Sequence, residues 1–140
     1  MWRSPGWTTT QRSNKFAYHL VLDAKEHAPG GPAWLLEQDG VALTDWRGEP
    51  QYLDRTKRLP AGDSTPAVCA AWQKSLGDAG WAGGLAQAFL DEPRQPCFIL
   101  FEPGMDLLPL IAEALRLVPP NQRWDVTALH EIPSPFVAKG

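Results

Sequence analysis

A chain of 140 residues with 44% apolar and 21% charged side chains suits one domain with a real core. Its net charge is −3 and its densest basic run, Arg55-Thr56-Lys57-Arg58, is short and has Asp54 beside it, which excludes a nucleic-acid footprint. The longest apolar stretch, near 107–118, is interrupted by Glu113 and Arg116 and falls far short of the ~20 residues of a membrane span, so no membrane partner is expected either.

Residues 1–15 are rich in Ser, Thr, Gly and Pro and read as an irregular N-terminal segment without an apolar signal core. Phe16-Ala17-Tyr18-His19-Leu20-Val21-Leu22 reads as a strand with largely apolar faces on both sides, as a central strand has. Ala28-Pro29-Gly30-Gly31-Pro32 is a break. The short apolar piece 33–37 does not declare its type, 41–46 suits a short strand or an extended loop, and 47–63 reads as a long connection.

Thr65 and Pro66 suit the cap and first position of a helix over 66–76, with Val68, Cys69, Trp72 and Leu76 on one face. Gly77 suits a left-handed C-terminal cap, and Asp78 can start a second helix, 79–90, whose buried stripe is expected to be Trp81, Leu85 and Phe89. The continuous apolar run Cys97-Phe98-Ile99-Leu100-Phe101 reads as a strand covered on both faces. Asp106 then caps a helix over 107–118 with Pro109 in its first turn, and Pro119-Pro120 stops it. Trp124, Val126 and Ala128 alternate with Asp125 and Thr127 as in a partly exposed strand. The expected fold is therefore α/β: a small parallel or mixed sheet with a βαβ unit at 97–128 and helices packed on it, forming one domain over 16–129 with a loose tail at 130–140.

No catalytic or cofactor signature stands out, and no cofactor or metal is expected. His19, His27 and His130 share no ligand spacing with each other or with the cysteines. Cys69 and Cys97 make no disulfide framework, which favours a reducing, cytoplasmic setting; both read as small apolar core residues. Cys97, expected to be buried, would be inert as a nucleophile. The best-placed ligand pocket lies beyond the carboxyl end of the 97–101 strand, where Glu102 and Asp106 would sit with His19 on a neighbouring strand. The competing account makes Asp106 a cap and Glu102 a favourable charge near a helix start. The seven tryptophans suggest an interaction surface, with Trp34 and Trp46 as anchors. Arg12, in the donor-rich Arg12-Ser13-Asn14-Lys15, is a candidate for an anionic partner group, against the plainer reading of a solvated loop.

Three phrases carry a resemblance: residues 12–22; Gly30-Gly31-Pro32-Ala33-Trp34-Leu35-Leu36; and Ile99-Leu100-Phe101-Glu102-Pro103 running on to Pro119-Pro120-Asn121-Gln122-Arg123-Trp124-Asp125-Val126-Thr127. Over residues 8–127 the chain resembles the N-terminal domains of bacterial GTPase-associated proteins of multi-component conflict (defence) systems. The resemblance implies a non-catalytic adaptor module that accompanies a GTPase, and it transfers no catalytic residues. The chain departs from the family pattern at Ala128-Leu129-His130-Glu131-Ile132-Pro133. Three functional readings result: an interaction module with a protein partner; a small-molecule-binding or hydrolytic domain using Glu102, Asp106 and His19; and a non-functional fragment of a longer, truncated protein. No residue pattern fixes an oligomeric state.

Overall fold

Asp106 begins the element on which the rest of the molecule is assembled. Its Oδ1 accepts the Leu108 N–H at 3.2 Å, and Pro109 occupies the first turn of the helix that follows, where a backbone donor has no intrahelical partner. The computed structural model describes residues 18–43 and 56–128. The described residues form four α-helices: α1 (Pro32–Glu37), α2 (Ala70–Leu76), α3 (Gly80–Asp91) and α4 (Leu108–Leu117), with 3-10 turns at Ala24–Glu26 and Pro120–Gln122. The helix α4 packs against α1, α2 and α3, and α2 also meets α3.

The sequence of α4 explains this central place. Leu110, Ala112, Ala114 and Leu115 are all buried, so apolar groups cover more than one side of the helix. One side joins Trp72 of α2 and Ala82 of α3 through Leu110 and Ala114; the other joins Ala33 of α1 through Ala112 and Leu115. Full burial of a leucine such as Leu110 contributes about 1.5–3 kcal/mol. The Trp72 indole N–H donates to the Leu110 carbonyl at 2.7 Å, so this large side chain is buried with its polar atom satisfied.

Gly31, with φ of 91°, and Pro32 launch α1, the short piece whose type the sequence left open. Gly77, with φ of 74°, closes α2 by donating its N–H to the Gln73 carbonyl at 3.0 Å. The Asp78 Oδ1 accepts the Gly80 N–H at 2.7 Å at the start of α3. Two helix details differ from expectation. The α2 helix starts at Ala70, not at Pro66: the Thr65 N–H is held by Asp63, and the Thr65 carbonyl, which would accept the first bond of a helix beginning at Pro66, is taken by Arg116. In α3, Trp81 is 62% exposed, and Ala82 and Ala86 are the buried positions. The two alanines let α3 approach α4 closely, a place a tryptophan could not occupy.

The expected α/β fold is overturned: among the described residues there is no strand and no sheet. A strand is defined by ladder hydrogen bonds to a neighbour, and no such ladder occurs among the described residues. Of the 16–22 segment, residues 18–22 are described and carry no strand, and Val21 is 90% exposed. In 97–101, Ile99 packs on the helical core, whereas Phe98 and Leu100 are 85% and 95% exposed, so this segment is covered on one face only. Cys97, at the start of this segment, is exposed, not buried. In 124–128, Trp124 spends its indole N–H on the Ala28 carbonyl at 2.9 Å and stacks on His27, with ring centroids 4.1 Å apart. The Asp125 N–H turns back to the Gln122 carbonyl at 3.1 Å, a turn rather than a ladder bond. No βαβ unit exists at 97–128 among the described residues. No described helix is long and apolar enough to cross a membrane.

Candidate functional site

The polar side chains of the helical core converge at one place, between the C-terminal end of α1, the middle of α4 and the segment leading into α2. A cleft of about 400 Å³ opens there, lined by Glu37, Thr65, Val68, Ala112, Glu113 and Arg116 among others. Glu113 and Arg116 lie three residues apart on α4 and so share a face.

Two of its three charged groups are already committed. The Glu113 carboxylate accepts the Ala71 N–H at 2.8 and 3.0 Å through its two oxygens, and the Trp72 N–H at 3.2 Å. It is the N-terminal cap of α2, supplied from another helix. Arg116 donates through Nη2 to Asp63 Oδ1 and through Nε to the Thr65 carbonyl, both at 2.9 Å. The Thr65 backbone N–H, with help from the charges of Arg116 and Arg123, holds the Asp63 carboxyl below its ordinary range. Burial pushes the Glu37 carboxyl up, and the negative charges of Glu113 and Asp106 add to this, while Arg116 opposes it.

Behind the cleft, Arg123 is 2% exposed and faces carbonyl oxygens. Its Nε donates to Val118 at 2.8 Å, Nη1 to Pro29, and Nη2 to Ser64 at 3.2 Å and Arg116 at 2.7 Å. Burial lowers its pKa, but a guanidinium stays charged. Four carbonyl dipoles replace the water this cation has lost. Gly31 makes room for it, since a Cβ there would stand 3.3 Å from Arg123 Cβ.

No Cys or His is among the described lining residues of the cleft, and its fixed cation and fixed anion are both turned to structural duties. No buried side-chain nitrogen or oxygen among the described residues lacks a partner. No group of three or more described His, Cys, Asp or Glu residues could hold a metal ion.

The residues singled out in the sequence fall elsewhere. His19 and Glu102 are exposed, and Asp106 is exposed with its carboxylate on the Leu108 N–H. No hydrogen bond joins any two of these three among the described contacts. Trp34 lies on α1, partly buried, with its ring against both Gly30 and Gly62; a Cβ at either glycine would run into that ring. Trp46 and Arg12 lie outside the described residues. Sequence reading missed Glu37, Glu113 and Arg123, whose partners are brought together only by folding.

Comparison with known proteins adds one finding. Residues 69–129, which carry α2, α3 and α4, match the family model of GTPase-associated protein 1, middle domain. This agrees with the likeness to GTPase-associated proteins read from the sequence, and the domain it describes is the middle one. No curated protein and no solved structure matches the chain.

Proposed function

From the match of residues 69–129 to the middle domain of GTPase-associated protein 1, we propose that this chain is a non-catalytic adaptor module that binds a GTPase within a bacterial conflict system. The match carries the reading, and the site chemistry supports it. Glu113 and Arg116 of the cleft are tied into the fold, and the described residues present large apolar side chains to solvent, Trp81, Phe98 and Leu100 among them. Exposed aromatic and aliphatic groups suit a protein partner better than a small polar substrate.

The test is calorimetric titration of the purified chain with a purified GTPase of a bacterial conflict system, loaded in turn with GDP and with a non-hydrolysable GTP analogue. Saturable binding in either nucleotide state is expected, with no GTP turnover by the chain alone. Absence of binding in both states, by a chain that unfolds cooperatively in urea, would overturn the reading.

A further inference from the structure

We draw no further inference here: the strongest candidate, the apolar surface that Val21, Phe98 and Leu100 present from the extended segments beside the helical core, carries nothing because nothing in the structure shows what covers it.

Discussion

The main-chain N–H of Ala71 is shared between both carboxylate oxygens of Glu113, at 2.8 and 3.0 Å, across 42 residues of sequence. A seven-residue helix is too short to persist alone in water. Its open N-terminal donors are satisfied by an anion mounted on the helix it packs against, so the cap of α2 and the α2–α4 contact form together.

Replacing that carboxylate therefore costs more than a surface glutamate would. Glu113→Ala is expected to lower stability by about 1–3 kcal/mol, the range for lost charge-assisted bonds and caps. Glu113→Gln, which keeps one acceptor oxygen, is expected to lose less. Urea unfolding of the two variants checks this; equal stability of wild type and Glu113→Ala would refute the cross-helix cap.

Arg123 sets a sharper geometric demand. Its three nitrogens donate to four carbonyls, those of Val118, Pro29, Ser64 and Arg116. A lysine retains the charge but presents three donors from a single point, so Arg123→Lys is expected to recover little of what Arg123→Ala loses. Loss of such a buried network is expected to cost about 3 kcal/mol or more. A chemical denaturation midpoint for Arg123→Lys close to wild type would show that charge alone suffices.

The Trp34 ring and its flanking glycines can be separated by a double-mutant cycle. Gly30 has no positive φ, so Gly30→Ala introduces a clash with Trp34 and no backbone strain. It is expected to cost about 1–3 kcal/mol by overpacking. In a Trp34→Ala background most of that cost should vanish, which unfolding of the four proteins would read as a coupling energy. Additive effects would mean that Gly30 is required for some other reason.

The two perturbed carboxyls respond to acid in opposite ways. Asp63 is held low by the Thr65 N–H, so its contribution is present above its ordinary value of 3.8 and is lost as pH falls through the depressed folded value. Glu37 is held high by burial, so its penalty is absent below 4.5 and is felt fully only as pH rises past the elevated folded value. Glu37→Gln is thus expected to raise the urea midpoint at pH 7 and to leave it unchanged at pH 3.5, approximately below both of its pKa values. Unfolding curves at the two pH values decide it; the Glu37 effect is modest, because the group is mostly solvated and screened.

The end of α2 and the starts of α3 and α4 were legible because their signals are local, whereas the start of α2, expected at Pro66, lies at Ala70. Gly77, Asp78, Asp106 and Pro109 each act within a few residues, and each does what its type and position require. The strands were misread because an apolar run such as 97–101 is the same text whether a neighbour pairs with it or not. The face of α3 was read only in part: Leu85 packs against the core, but Trp81 is exposed, because close approach to α4 favours the smaller Ala82 and Ala86. Of the cleft, nothing in the sequence near Glu113 or Arg123 announces partners 42 and 94 residues away.

Those separations also bear on the order in which the molecule assembles. The Arg123–Pro29 and Trp124–Ala28 contacts close loops of 94 and 96 residues, whereas the helices α3 and α4 need only neighbours to form. Long closures must be completed before their contacts yield any stabilisation, so the bonds to Pro29 and Ala28 are expected to form late in folding. Weakening these closures is then expected to hasten unfolding more than it slows refolding, so the lifetime of the native state, more than its speed of formation, would register their loss.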